Sequence, residues 1–320
     1  MQPFFIVIYG PTASGKSDFA QQLAPMISGE IVNADVGQFY VPFSIGTAKP
    51  DWKNKSTDHH FFDILKEPLN ITVWQYRSQF CKLANEIFKR GNVPVVVGGS
   101  TFYLLSLFFP PKKFDLNNNQ LSSNEVDDKK DLWDKLYSID PERAQQIHKN
   151  DYYRIQRALN VWLHQGQKPS ECKPKYEPFS SYIFINLERD REQLYKLINN
   201  RTKEMLQSGW TEEVEKIIST EWQTFLEEKK LIGYPEIIKY LRSQDKNIDD
   251  LVKIVQQKTR NYAKRQITFG KMMTRKLKSA QEEYKLQGNI KGMVETLNLS
   301  NKNYKDQIAV VVEKIKHLTS

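Results

Sequence analysis

A chain of 320 residues can bury a full core and form one large domain or two modest ones. Its 39% hydrophobic and 27% charged residues are ordinary for a water-soluble protein. No apolar run reaches the length of a membrane span, and Met1-Gln2-Pro3 lacks a secretion signal's basic start, so the expected location is the cytoplasm. Cys81 and Cys172 stand far apart with no C-x-x-C, which argues against a zinc site or disulfide framework, and a formal charge of +9 is compatible with a polyanionic partner without requiring one.

The first element is the apolar run Phe4-Phe5-Ile6-Val7-Ile8-Tyr9, which reads as a buried parallel strand. It leads into Gly10-Pro11-Thr12-Ala13-Ser14-Gly15-Lys16-Ser17, and beyond this Phe19, Ala20, Leu23 and Ala24 mark one face of a helix. Strand, G-x-x-x-x-G-K-[ST] and helix, in that order, are the setting of a phosphate-binding loop. The glycines let the backbone curl so that its N–H groups point inward. The helix N-terminus adds partial positive charge and Lys16 adds a full one. The Ser17 hydroxyl falls where a phosphate-bound Mg²⁺ sits. The motif is specific for phosphate but silent on its carrier, since it serves ATP-binding, nucleotide-binding and diphosphate-ester sites alike.

Gly29 to Asp35 predicts a second strand that ends on a carboxylate. Ligands of open parallel sheets bind beyond the carboxyl ends of the strands, so Asp35 is a candidate Mg²⁺ ligand or general base, or more plainly a turn cap. Gln38 and Tyr40 follow in a loop, then the turn-rich Ile45 to Pro50. His59 to Leu65 predicts a third strand. Its adjacent histidines would face opposite ways with no third ligand near, so they read as structural. Thr72 is placed to cap an amphipathic helix running to Arg90. The next buried strand starts at Pro94, and its Gly98-Gly99-Ser100 end returns to the ligand side. There Ser100 can meet a phosphate or an amine, or serve as a helix N-cap.

The character changes at Pro110, where Pro-Pro-Lys-Lys leads into Asn117 to Gln120 and a charged run from Glu125 to Asp131. This marks an insertion boundary before a helical segment with Trp133, Leu136 and Tyr137, then Asp140-Pro141 as cap and first residue of another helix. In the helix after His148, Arg154 and Arg157 share a face that suits either solvent or a polyphosphate backbone. Beyond a Pro/Lys-rich link, Lys168 to Pro178, Tyr182 to Leu187 predicts a strand and Asp190 to Ile218 a helix with Arg201, Glu204 and Met205 on one side. Gly233 to Leu241, Asp249 to Met273 and the polar Thr274 to Lys291 read as helical, and Tyr262-Ala263-Lys264-Arg265-Gln266 adds basic charge. Met293 to Leu299 reads as a last strand before a closing helix from Lys305. Alternating strands and helices predict right-handed crossovers in a mostly parallel α/β sheet with a helical insertion.

Taken together, these motifs resemble the bacterial tRNA dimethylallyltransferases, also called tRNA isopentenyltransferases. The likeness runs through Gly10 to Ser17, Ala34-Asp35 with Gln38, Ile45 to Pro50, and Val97 to Ser100 with Tyr103. It continues through Asp140-Pro141, Ile147-His148 with Asn150-Asp151, Arg154 with Arg157-Ala158-Leu159, and Arg201 with Met205-Leu206 and Gly209. Ile232-Gly233-Tyr234 and Tyr262 to Gln266 complete it, all in the family's order. The resemblance implies a P-loop NTPase-like parallel sheet flanked by helices, with a smaller helical insertion domain. It divides the chain into a core at 1–109, an insertion at 110–178 that contacts tRNA, and the rest of the core at 179–320.

The implied reaction transfers a dimethylallyl group from dimethylallyl diphosphate, with Mg²⁺ assisting, to the exocyclic amine of the tRNA adenosine 3′ of the anticodon. By that likeness Gly10 to Ser17 hold the diphosphate, Arg201 adds charge to it, and Asp35 is the general base. Ser100 stands where the family usually has Thr and keeps the hydroxyl. Asp35, Val36, Gly37, Gln38, Ser100 and the segment Tyr153, Arg154, Ile155, Gln156, Arg157 correspond to regions that contact the tRNA anticodon stem-loop. A monomer is expected. The chain departs from the family at Val36-Gly37, which replace a Ser-x pair, at Tyr153, which replaces Gln, and at Ile267 to Lys271, which replace Leu-Thr-Trp-Phe-Arg. Two other activities share the loop: prenyl transfer to a free adenine nucleotide, and phosphoryl transfer by a small-molecule kinase. A catalytically silent RNA-binding protein is a third reading, against which the intact Lys16, Ser17 and Asp35 argue.

Overall fold

The computed structural model describes residues 3–53, 56–111, 131–172, 174–284, 290–300 and 304–319. The Asn-rich segment and nearly all of the charged run in 112–130 lie outside the described residues, as do 285–289 of the polar stretch after Thr274. In chain order the elements are β1 (Phe4–Tyr9), α1 (Lys16–Leu23), β2 (Gly29–Asn33), β3 (His59–His60), α2 (Val73–Lys89), β4 (Val93–Gly98) and α3 (Thr101–Ser106). Next come α4 (Asp131–Ile139), α5 (Pro141–Gln145), α6 (Tyr152–Gln165), β5 (Ser181–Glu188), α7 (Arg191–Gln207) and α8 (Trp210–Glu215). The chain closes with α9 (Trp222–Lys229), α10 (Tyr234–Arg242), α11 (Ile248–Tyr284), β6 (Gly292–Asn298) and α12 (Tyr304–Thr319). They form two compact units, one of residues 1–108 with 177–320 and one of residues 109–176.

The larger unit is built on one sheet in the order β3-β2-β4-β1-β5-β6, with every pairing parallel. β1 lies inside the sheet, with Ile6 opposite both Val95 and Ile183. All six of its residues are buried, which explains why it reads as a continuous apolar run instead of an alternating one. Ile6 and Ile8 join Phe19, Leu23, Val95 and Ile185 beneath α1 and α12, while Phe5 meets Phe80 and Phe108 on the other face. A separate aromatic cluster fills α8 to α10, where Trp222, Phe225 and Tyr234 pack on Tyr40 and Phe43.

Three local expectations change. The strand predicted from His59 to Leu65 keeps only His59–His60, because Phe61 and Asp63 take left-handed φ values of 64° and 53° and turn the chain away. The helix predicted from Asp190 to Ile218 is broken at Gly209, whose φ of 95° starts α8 in a new direction. β2 ends at Asn33, so Asp35 lies just past the strand and opens the short turn Val36–Phe39. Thr72 does cap α2: its hydroxyl accepts from the Gln75 N–H at 3.2 Å while the Gln75 side chain accepts from the Thr72 N–H at 2.8 Å.

In the smaller unit, Leu136, Ala144, Ile147, Ile155, Ala158 and Leu159 form the core between α4, α5 and α6. Asp140 caps α5 through the Arg143 N–H at 3.0 Å and also accepts from the Ser170 N–H at 2.8 Å. In the larger unit, Arg77 donates to the carbonyls of Ser106 and Glu177, holding together the places where the chain leaves that unit and re-enters it.

Candidate active site

The phosphate loop follows β1 directly. Ala13 and Gly15 take φ values of 60° and 94°, so the backbone alternates hand and curls into a concave turn closed by the Ser14 N–H bonding to the Pro11 carbonyl at 3.1 Å. Gly15 also sits where a Cβ would lie 2.0 Å from the Tyr304 hydroxyl, so both conformation and space require glycine. The first-turn amides of α1 have no carbonyl of their own helix to bond, which leaves them for an anion. Lys16 is buried, and its Nζ donates to the Pro11 carbonyl at 3.1 Å. Ser14 is fully buried, and its Oγ has no hydrogen-bond partner among the described residues. Ser17 is exposed on the same turn and lines a pocket with Asn33, Asp35 and Gln38.

Two further loops meet this one. Gly98 brings the end of β4 so close to Ala34 that a Cβ there would lie 2.3 Å from the Ala34 carbonyl carbon. The Gly99 N–H then donates to Asp35 Oδ1 at 2.5 Å, and Ser100 Oγ accepts from the Val36 N–H at 2.9 Å. Asn33 grips the Asp35 main chain from the other side, accepting from its N–H at 2.8 Å and donating to its carbonyl at 3.2 Å. Asp35 therefore has a fixed backbone and one engaged oxygen, with Oδ2 left free of hydrogen bonds among the described residues. Ser100 occupies the N-cap position of α3 without capping it. Its hydroxyl is turned to the Asp35 loop instead.

Arg201 reaches this site from α7, one turn beyond Ile198, which packs with Leu194 against Ala263 of α11. Arg201 as a residue is half-buried, and its guanidinium makes no hydrogen bond or ion pair with any described residue. Burial lowers the pKa of Arg201, which the charges of Asp35, Asp18 and Glu204 partly offset. Burial also lowers the pKa of Lys16; Asp35 opposes that shift and Arg201 adds to it. Lys16 and Arg201 thus both feel the charge of Asp35, and no ion pair within 4 Å joins Asp35 to either.

A buried glutamine ties these loops together. Gln266 of α11 accepts from the Thr12 N–H through Oε1 at 2.8 Å, donates through Nε2 to the Gly99 carbonyl at 3.2 Å, and its own carbonyl accepts from the Tyr9 hydroxyl at 2.6 Å. The Gly99 peptide is thereby held at both ends, by Gln266 and by Asp35. The Thr12 amide, expected to face the anion, is spent on Gln266.

The IPP transferase family model matches residues 38–273. The tRNA dimethylallyltransferase of Pseudothermotoga lettingae is 36% identical over 269 residues, covering 82% of this chain and 85% of that protein. The Acetivibrio thermocellus enzyme of the same name is 36% identical over 275 residues, covering 82% and 87%. The chain belongs to the IPP transferase family. Among solved structures, a eukaryotic dimethylallyltransferase acting on tRNA aligns at TM-score 0.80 and 25% identity, over 98% of this chain and 80% of that one. The tRNA isopentenylpyrophosphate transferase of Staphylococcus epidermidis aligns at TM-score 0.64 and 28% identity, over 99% and 100%.

In this IPP transferase the sequence motifs fall into two groups. Gly10 to Ser17, Asp35, Ser100 and Arg201 converge as described. Gln38 does not present its amide outward: it is buried, and Nε2 donates to the carbonyls of Thr47 and Ala48 at 3.1 and 3.4 Å. Val36 and Gly37 lie beside it in the same turn. In the smaller unit Tyr153, Arg154, Gln156 and Arg157 are exposed on α6, with Arg154 paired to Asp151 at 3.2 Å. Ile155 is the exception. It is fully buried in that unit's core, because a helix face open to solvent needs an apolar back, so its side chain supports the others.

Three contributors escaped sequence reading: Asn33, Gln266 in its bridging role, and Glu213. The Glu213 carboxylate collects the N–H groups of Ser44, Ile45 and Gly46 at 2.8, 2.7 and 3.1 Å and the Tyr234 hydroxyl at 2.8 Å. It thereby joins the Ile45 to Pro50 motif to Gly233-Tyr234. The one available signal was their shared presence in a set of motifs with no other purpose.

Proposed function

We propose that this IPP transferase moves a dimethylallyl group from dimethylallyl diphosphate to the N6 amine of the adenosine 3′ of the anticodon in tRNA, releasing diphosphate. The observation that carries this reading is Arg201, a half-buried residue whose guanidinium has no hydrogen bond or ion pair among the described residues, beside Lys16 and the open phosphate loop. A partnerless cation in such a place is suited to a polyanion that arrives and leaves. The N6 lone pair attacks the allylic C1 as the C1–O bond breaks, and the electron pair of that bond goes to the departing diphosphate. Lys16, Arg201 and the loop amides stabilise the charge that grows there. Asp35 Oδ2 receives the N6 proton, while Oδ1 stays anchored on the Gly99 N–H.

The residues also fit a divalent metal with the diphosphate. Ser17 and Asp35 line one pocket, and the buried Ser14 Oγ, within the phosphate loop, has no hydrogen-bond partner among the described residues. When bound, Mg²⁺ would neutralise part of the leaving group's charge. The adenosine must leave the stack of its loop to reach Asp35, and RNA loops allow this at modest cost. The exposed Arg154 and Arg157 and the overall charge of +9 suit the phosphates of an anticodon stem-loop. No described helix is long and apolar enough to cross a membrane. We place the protein in the cytoplasm with its tRNA substrate.

The test is one incubation with radiolabelled dimethylallyl diphosphate, Mg²⁺ and unmodified tRNA, beside parallel tubes with AMP and ATP. Label at the adenosine 3′ of the anticodon is expected. Label in AMP or ATP alone would move the protein to the nucleotide prenyltransferases, and ATP consumption without label would make it a kinase.

A further inference from the structure

Phe102 is 64% exposed on the first turn of α3, two residues past Ser100. A single exposed aromatic is normal on a protein surface. The neighbours of this one set it apart. Its ring meets the edge of Phe269 on α11 with centroids 6.1 Å apart and an interplanar angle of 67°, and Phe269 is braced from behind by Tyr9 at 6.1 Å. Phe269 lies one turn beyond Arg265 and Gln266. The Arg265 guanidinium lies over the Tyr262 ring at 5.7 Å, and the charge of Asp35 raises the Tyr262 pKa further after burial has raised it most. Lys264, Arg265 and Lys271 are exposed along the same stretch of helix. An aromatic and cationic strip therefore starts at the general base and ends on a bare phenyl ring.

That chemistry matches single-stranded RNA, in which bases stack on aromatic faces and phosphates meet basic side chains. It matches it at a defined place. Drawing the target adenosine out of the anticodon loop removes a stacking partner from each flanking base, and a ring on the rim of the site can replace one. We infer that Phe102, backed by Phe269, is the stacking platform for the nucleobase next to the target adenosine, with Arg265 on the adjoining phosphate. This rests on the tRNA prenyltransferase reading above. Direct contact with the target adenosine is assigned to the Asp35 recess and not to Phe102.

The exposure of Phe102 makes the test clean, since truncation leaves no cavity. Phe102→Ala and Phe102→Trp would be compared with the unaltered protein in steady-state transfer to an anticodon stem-loop. A second assay would read fluorescence from 2-aminopurine placed on either side of the target. Phe102→Ala is expected to raise KM for the RNA about tenfold, within the range for losing one base stack, with KM for dimethylallyl diphosphate and the melting temperature unchanged. Phe102→Trp should restore RNA binding, and quenching at one flanking 2-aminopurine should vanish only in the alanine variant. Unchanged KM for RNA in Phe102→Ala, or an equal rise for both substrates, would overturn the platform. Absence of any label in tRNA with the unaltered protein would instead overturn the function on which it rests.

Discussion

β2 leads to two carboxylates, Glu30 within the strand and Asp35 just beyond it, and the fold treats them in opposite ways. Glu30 is buried and saturated. Arg90 donates to it through Nε and Nη2 at 2.9 and 2.7 Å, Asn92 donates at 2.9 Å, and His60 Nε2 lies at 2.6 Å. Burial alone would raise its pKa, but these hydrogen bonds outweigh burial and hold it at about 2. Asp35 is fixed by one N–H and stands near two cations that it does not touch. A carboxylate surrounded by donors stabilises the fold and can take part in nothing else. One left with a free oxygen, close to cations it does not pair with, is still available for chemistry.

The sharpest way to break this contrast is Asp35→Ala. Turnover should fall about a thousandfold, the scale of a lost general base, while tRNA still binds in a filter or gel-shift assay. Near-normal turnover would end the assignment. Arg201→Ala should come next, raising KM for dimethylallyl diphosphate roughly 10- to 100-fold, as expected for a lost charge-assisted contact, with tRNA affinity unchanged.

Glu30→Ala should act in the other currency. We expect a loss of about 2 kcal/mol, read as a melting temperature several degrees lower, with kcat per folded molecule unchanged. The sign of its pH dependence follows from the depressed pKa. The folded carboxyl titrates near 2 and the unfolded one near 4.5, so the stabilisation is complete above about pH 4.5 and is lost as pH falls toward 2. The gap between the unaltered protein and Glu30→Gln in urea melts should therefore shrink between pH 5 and pH 2. A constant gap would show that Glu30 acts by shape and not by charge. The smallest effect belongs to Gln266→Ala, about a tenfold loss in kcat/KM. Because Gln266 bonds to both the phosphate loop and the Asp35 partner Gly99, the loss should appear in KM for the diphosphate and in kcat together. Loss in KM alone would remove the link to Asp35.

Local chemistry made part of this legible. The phosphate loop is contiguous, and the strand before it is apolar throughout because both of its faces are covered, so motif and element could be read together. Asp35 could be placed by the rule that ligands gather beyond strand ends, although the strand itself stops at Asn33. The brevity of β3 was hidden because a left-handed residue is uncommon for an aromatic side chain such as Phe61. Ser100 was named, but an N-cap serine and one turned to another loop look the same in sequence. Gln266 sits in a basic run, and nothing local says that its amide reaches Thr12. What stayed out of sight was contact between segments far apart in the chain, where pattern carries no information.

The position of β1 has a consequence for synthesis. β1 precedes both strands that it pairs with, β4 and β5, and it is wholly apolar. At translation rates of about 5–20 residues per second it waits for several seconds before either neighbour leaves the ribosome. During that time Phe4–Tyr9 offers unpaired backbone and six hydrophobic side chains to anything nearby. The same order of events delays the phosphate loop, which is clamped by Gln266 and by Arg189 donating to the Ser14 carbonyl at 2.9 Å. The nascent protein should therefore depend on a holding chaperone early, and its loop should take final shape only when α11 has been made.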